Sequence, residues 1–207
     1  MSEKPPIHIN LPLSDEDVTG LHTGDFVLLS GTVVTARDAA HKWLVDTFIR
    51  KTTPPSSEDA RVEKELASAF KGGGIYHCGP VVTRQADGSY RFLAAGPTTS
   101  MREEPYQAEI IHHYGVKAII GKGGMGERTL QACQEAPALY LHATGGAAVL
   151  LAACVKEVRA VYKTEFGLPE AIWLIRVQDM PLVVSMDAHG NSLHEAIRQS
   201  SQTRLFD

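Results

Sequence analysis

MREEPYQAEIIHHYGVKAIIGKGGMGERTLQACQEAPALYLHATGGAAVLLAACV (Met101–Val155) switches repeatedly between helical and strand-like hydrophobic periods. That alternation decides the fold class. A helical spacing over Met101–Tyr114 stops at Gly115, a residue that readily takes the left-handed conformation ending a helix. The apolar run Val116–Ile120 then reads as a strand, Gly121–Gly126 as a loop, Arg128–Ala136 as a helix and Ala138–His142 as a second strand. Thr144-Gly145-Gly146 leads into a small-residue helix over Ala147–Val155. Strands separated by helices are joined by crossovers and so pair in parallel, which predicts a central, partly parallel sheet.

Upstream, Asp25–Thr35 is rich in β-branched residues and reads as a strand, and Arg37–Phe48 follows as a helix with Trp43, Leu44 and Phe48 on one side. After the polar, Pro-containing connector Thr52–Glu58, with Ser57 as an N-cap, an amphipathic helix runs over Glu58–Phe70 and ends at Gly72-Gly73-Gly74. Ile75–Thr83 and Tyr90–Ala95 flank the turn signal Ala86–Ser89 and predict a hairpin. Downstream, Val158–Phe166, Trp173–Val177 and Leu182–Asp187 read as strands with short turns, before a last polar helix. The sheet should therefore be mixed, within a single domain that has no internal repeat and no linker.

Composition narrows the class of function. The 207 residues are 43% hydrophobic and 21% charged, as in an ordinary globular chain able to bury a core. A net charge of −4 without a Lys/Arg-rich block argues against nucleic acid as a partner. No stretch reaches the ~18 apolar residues of a membrane span, and Met1–Leu13 has no basic region leading into an apolar run, so a cytoplasmic protein without a membrane partner is expected. Cys78, Cys133 and Cys154 lack C-x-x-C spacing and read as buried thiols. A cluster held wholly by this chain is not expected, although distant cysteines can converge in space.

Gly96-Pro97-Thr98-Thr99-Ser100-Met101-Arg102 carries the chemistry. A Gly-Pro turn delivers hydroxyls and then an arginine four residues after Thr98, one turn if a helix opens there, which makes an anion site suited to a carboxylate. Thr98 has a second reading as an N-cap. Arg37 and His41 stand four apart at another strand-to-helix junction, the kind of place where open α/β sheets build sites. Asp38 reads as a salt-bridge partner positioning Arg37, and His41 as a site residue, an orienter or simply a core histidine. Gly121-Lys122-Gly123-Gly124-Met125-Gly126 matches G-x-G-x-x-G, yet His142-Ala143-Thr144 stands where a ribose-binding acid should be. A P-loop fails as well, because Gly115 and Gly121 enclose five residues and Gly123 replaces the magnesium-binding hydroxyl. Two readings stay open: an anion-binding backbone loop charged by Lys122, or a tight turn. His112-His113 reads as a solvated face, since adjacent helical residues point about 100° apart. Asp187-Ala188-His189-Gly190-Asn191 reads as a turn, with Asp187 or His189 near the cleft as its second reading.

Gly31–Thr35 with Arg37–His41, His77–Val82, Gly96–Arg102, Gly121–Gly126 and Asp187–Asn191 stand in the order found in class I, iron–sulfur-dependent hydro-lyases. From about Leu13 to Asn191 the chain resembles the β-subunit of L(+)-tartrate dehydratase and of two-subunit class I fumarases, equivalent to the C-terminal domain of single-chain fumarases. The resemblance implies a swivelling β/β/α three-layer domain closing over a site shared with an α-subunit, which carries three cysteines holding a [4Fe–4S] cluster; this chain would hold no metal. It implies an α2β2 or β-mediated dimer, Thr98 as catalytic base, Arg37 and Arg102 as substrate-carboxylate ligands, and Lys122 as a substrate contact. His41 matches a family histidine and, with Thr98 and Lys122, is counted among the expected catalytic residues. Cys78, and the pair Glu103-Glu104 after Arg102, depart from the usual pattern, and Glu103 would weaken the field of Arg102 if it folded toward it. The expected reaction is addition or elimination of water on a small 2-hydroxy-dicarboxylate, either tartrate to oxaloacetate or malate/fumarate interconversion. The alternative is a non-catalytic carboxylate-binding or scaffold domain of the same fold. Arginine suits either reading, because its planar fork binds carboxylate bidentately without losing its charge.

Overall fold

The computed structural model of the chain describes residues 5–206. In chain order its elements are β1 (Ile7–Asn10), α1 (Asp15–Thr19), β2 (Phe26–Thr35), α2 (Asp38–Leu44), α3 (Ser57–Phe70), β3 (Gly74–Tyr76), β4 (Val81–Arg84), β5 (Tyr90–Ala94) and α4 (Glu104–Tyr114), followed by β6 (Ala118–Gly121), α5 (Glu127–Glu135), β7 (Leu139–His142), α6 (Ala148–Ala153), β8 (Val155–Tyr162), β9 (Ile172–Met186) and α7 (Leu193–Phe206). Among the described residues, seven strands form one sheet in the order β1-β2-β3-β6-β7-β9-β8, with β2 and β9 also paired. The pairs β1–β2, β2–β3, β3–β6 and β6–β7 are parallel. β9 runs antiparallel to β2, β7 and β8. Since β9 pairs with both β2 and β7, the sheet folds back on itself and sets an antiparallel layer against the parallel one.

Period-2 alternation in strands buried on both faces then builds two cores. Val33, Tyr76, Ala118, Ile120, Leu139 and Leu141 face the antiparallel layer, where they meet Trp173, Ile175 and Val184. Their neighbours Val34, Ile75, Ile119 and Tyr140 face the helices, packing with Leu44, Leu66, Phe70 and Ile110. The outcome is the expected mixed α/β domain in three layers, two of strands and one of helices. Leu66 is fully buried in the second core, so truncating it to alanine should cost about 2–5 kcal/mol.

Several local expectations are corrected. The run Ile75–Thr83 is not one hairpin strand: β3 ends at Tyr76 in the main sheet, and β4 pairs with β5 in a separate two-stranded sheet. Gly79-Pro80 accounts for the break, because Pro80 has no N–H to continue a ladder. Trp173–Val177 and Leu182–Asp187 are parts of a single strand, β9, since β2 pairs along both; the polar residues between them form an irregularity opposite Leu29/Gly31, with Asp179 at φ 50°. The helix after Arg37 passes from α2 into a π-helical turn, Val45–Ile49. Ser56, not Ser57, caps α3, in a capping box with Asp59. β1 belongs to a segment the sequence left unassigned; it pairs with β2 and buries Ile9.

Candidate active site

Parallel pairing puts the C-terminal ends of β2, β3, β6 and β7 along one edge of the sheet; Arg37 and Lys122 leave from the ends of β2 and β6, and the Gly96–Arg102 segment reaches the same edge from β5. Beyond β3 and β6 the segment Thr98–Ser100 enters between the strands. The Thr98 N–H donates to the His77 carbonyl at 2.7 Å, the Lys122 N–H to the Thr98 carbonyl at 3.2 Å and the Ser100 N–H to the Lys122 carbonyl at 3.0 Å. Thr98 is therefore part of a sheet extension and caps no helix. Its hydroxyl donates to the His77 carbonyl at 3.1 Å, which leaves the oxygen's lone pairs free of that bond. The helix expected from Met101 begins as a short 3-10 turn, Ser100–Arg102, before α4. Thr98 and Arg102 therefore do not share one turn of helix: Thr98 lies in the sheet extension, and Arg102 ends the 3-10 turn, its N–H donating to the Thr99 carbonyl at 3.3 Å.

Arg37 follows β2 at the start of α2. Its guanidinium lies across Gly79, where a Cβ would come within 2.5 Å of Nη1, and pairs with Glu170 at 3.2 Å. Asp38 does not hold Arg37 as expected: it pairs with Arg102 across the site. The Arg102 side chain is 54% exposed in that pair, so the ion pair is worth only ~0–1 kcal/mol and an incoming carboxylate can compete for the guanidinium. Lys122 stands opposite Thr99 in an isolated parallel bridge, and its Cδ runs beside Gly145 on the loop after β7. Arg37, Thr98, Arg102 and Lys122 are thus linked through shared neighbours on one edge.

Beneath that edge lies a polar cluster that the sequence reading only touched. His41, His77, Ser100 and Gln107 are completely buried. His41 Nδ1 lies 3.0 Å from the Arg37 carbonyl and its Nε2 3.1 Å from the Gln107 amide, which also lies 2.9 Å from His77 Nε2. His77 Nδ1 contacts Ser100 Oγ at 2.8 Å, and the Tyr140 hydroxyl donates to the same oxygen at 2.8 Å. Burial, the largest influence on each, holds the pKa of His41 below the usual histidine range and that of His77 well below it, so both rings are neutral. A neutral His41 has to use its one proton on the Arg37 carbonyl, which leaves Nε2 as an acceptor. The atom placed between the two imidazoles is Gln107 Oε1, which would set acceptor against acceptor at His41 and leaves Gln107 Nε2 without a partner; turning the amide over puts its NH2 there, with one hydrogen for each ring. His41 is completely out of contact with solvent, held between the Arg37 carbonyl and Gln107.

Glu104 decides the fate of the glycine loop. Its carboxylate accepts from Gly126 N at 2.8 Å, Thr129 N at 3.2 Å and the Thr129 hydroxyl at 2.7 Å. The N-terminus of α5 is an anion site, as its glycines suggested, but the anion is the protein's own side chain. Gly126 is required there, because a Cβ would press on Glu104 Oε1 at 2.6 Å. Asp187 is equally structural: it accepts from Thr23, His189 and Asn191 backbone N–H groups at 2.9–3.0 Å. His112 pairs with Glu135 at 3.2 Å on the surface, as a solvated face should.

The cysteines of this chain do not fit an iron–sulfur cluster. Cys78 belongs to the core between the strand layers and Cys133 to the core under the helices, on opposite faces of the parallel sheet, while the Cys154 thiol lies against the Leu150 carbonyl. Burial pushes the Cys78 and Cys133 thiols up to about 12, away from the thiolate a cluster needs. Among the described residues no three His, Cys, Asp or Glu side chains group as a metal set.

Comparison with known proteins identifies the family. The sequence model of the family described as Fumarase C-terminus matches residues 1–197, including the N-terminal dozen that the motif resemblance left outside. A protein of Geobacillus stearothermophilus named "Putative fumarate hydratase class I" is 46% identical over 204 residues, covering 99% of this chain and 36% of that protein. The chain thus spans about a third of the length of that relative. The L(+)-tartrate dehydratase subunit beta of Escherichia coli K12 is 38% identical over 186 residues, covering 89% of this chain and 85% of the subunit. With a family match over nearly its whole length and the motifs gathered on one sheet edge, the chain belongs to the fumarase C-terminus family.

Proposed function

We propose that the chain is the β-subunit of a class I hydro-lyase acting on a small 2-hydroxy-dicarboxylate, and that Arg37, Thr98, Arg102 and Lys122 form its half of the active site. The gathering of these four residues at the ends of parallel strands carries the reading, since each group suits one demand of the reaction. Removing a proton α to a carboxylate builds up negative charge on that carboxylate. Arg102, exposed and held among the described residues only by Asp38, is free to take a substrate carboxylate in its fork, and Arg37, fixed by Glu170 over Gly79, offers a rigid second cation. Thr98 presents a hydroxyl oxygen anchored through the His77 carbonyl, and Lys122, whose backbone N–H donates to the Thr98 carbonyl, is the cation that would stabilise an alkoxide there. The buried His41–Gln107–His77–Ser100 chain would keep these groups in register.

In this reading the [4Fe–4S] cluster belongs to an α-subunit, and when bound it supplies a Lewis acid for the departing hydroxyl. This chain's residues bind and orient the diacid and accept its proton. Tartrate and malate/fumarate present the same pair of carboxylates, and the two named relatives support one each. The test is reconstitution of the chain with a cluster-bearing α-subunit, followed by kinetics on tartrate, malate and fumarate. Water elimination or addition on one of them supports the proposal; a folded complex inert on all three refutes it in favour of the scaffold alternative.

A further inference from the structure

Glu103 follows Arg102 directly, and its carboxyl turns inward: the residue is completely buried, and neither carboxyl oxygen has a hydrogen-bond partner. A buried, unpaired carboxylate would be prohibitively costly, so its surroundings must account for it. The charged and titratable groups facing it are Asp38 on α2, Arg102 on the turn before it and Tyr140 on β7. Asp38 Oδ1 is likewise buried without a partner, while Oδ2 of the same carboxylate is engaged by Arg102. Two carboxyl groups thus face one guanidinium, with three acceptor atoms shut away from water. One proton resolves all of this: like charges at such a site do not both ionise, and a carboxylic acid beside a carboxylate donates to it.

We propose that Glu103 is a positioning residue of the carboxylate site, donating its proton to Asp38 Oδ1 and so leaving Arg102 its charge for an incoming carboxylate. The inference deepens the function proposed above and rests on it for the identity of the anion. With the proton in place, Asp38 carries a charge already shared with an O–H donor, and its hold on Arg102 is loose. Without the proton, two carboxylates neutralise one arginine and compete with the substrate for it. Burial, then Asp38, raises the Glu103 carboxyl to about 8, so the change falls just above neutrality. Diacid binding should weaken as pH rises through that value. The catalytic proton transfer at Thr98 is not part of this switch, so the effect belongs to KM rather than kcat.

The test has two arms. On the full chain alone, the side-chain carboxyl resonances are followed by 13C NMR between pH 5 and 10, with Glu103→Gln identifying the signal. A Glu103 midpoint near 8 supports the proposal, and an ordinary glutamate midpoint overturns it whatever the enzyme does. A raised midpoint also requires the wild type to lose thermal stability relative to Glu103→Gln as pH climbs from ~5 to ~8, because the unfolded chain sheds that proton near 4.3. In the reconstituted complex, wild-type KM should rise on the order of tenfold between pH 7 and 9 while kcat on that limb changes little. Glu103→Gln, which still donates an N–H to Asp38, should flatten the rise, whereas Glu103→Leu, which leaves Asp38 unpaired, should have a raised KM at every pH. A rise that persists in Glu103→Gln overturns the link to substrate. A complex inert on every diacid refutes the proposed function instead, and the NMR arm still decides the protonation of Glu103.

Discussion

Gly121→Ala should be among the most damaging single-methyl changes in this protein, and the polar cluster beneath the site edge sets the cost. The added Cβ would fall on Ser100 Oγ, 3.1 Å from the Tyr140 hydroxyl and 3.2 Å from His77 Nδ1. Ser100 is completely buried, so it can move away only by giving up its contacts with His77 and Tyr140, each 2.8 Å long. Overpacking costs ~1–3 kcal/mol, and each buried polar group left without its partner ~1–3 kcal/mol. A loss of about 4 kcal/mol is expected, a fall in Tm on the order of 10 °C for a chain of this size. Ser100→Ala alone removes the hydroxyl but leaves room, and should cost ~2 kcal/mol. In the double variant the clash is gone and the bonds are already lost, so it should be no worse than about 3 kcal/mol, a coupling of at least ~3 kcal/mol. Urea unfolding of the four proteins measures the cycle. Additive losses, or a Gly121→Ala protein within ~0.5 kcal/mol of wild type, would refute the packing described for this cluster.

Glu104→Ala should cost ~1–2 kcal/mol in urea unfolding by uncapping α5, and Glu104→Gln less than that, since one amide oxygen can still accept; equal losses would mean that the charge at the helix end carries the whole effect. Thr98→Val removes a hydroxyl bonded only to the His77 carbonyl, so melting should shift by no more than ~1 kcal/mol, while kcat of the reconstituted complex should fall on the order of 10²-fold; retained turnover would remove Thr98 from proton transfer. His41 and His77 stay neutral when folded but take up protons once unfolded, so the unfolded state binds more protons as pH drops below ~6.5 and stability should fall by about 1.4 kcal/mol per pH unit for each ring. Chemical unfolding at pH 7.5, 6.5 and 5.5 checks this, and a flat profile would mean that the two rings already carry protons in the folded state.

The layered fold was legible in the sequence because strand and helix periods are local properties: Val116–Ile120 and Ala138–His142 needed no tertiary information to read as buried parallel strands. The residues proposed for the site were singled out for a related reason, since Arg37, Thr98, Arg102 and Lys122 sit in motifs whose order along the chain matches a family. How those residues are held was not legible. Which arginine Asp38 pairs with, whether Thr98 caps a helix or extends a sheet, and which anion fills the N-terminus of α5 each depend on a partner far away in sequence. No window of the chain reports that the backbone at Thr98 inserts between His77 and Lys122, just beyond the paired ends of β3 and β6, or that Gln107, one turn inside a helix, meets two histidines from two other segments. Local pattern determines which elements form and which faces they bury, because periodicity and turn chemistry act over a few residues. Tertiary structure alone decides which polar group satisfies which, because a buried donor or acceptor must take the partner that packing brings within about 3 Å.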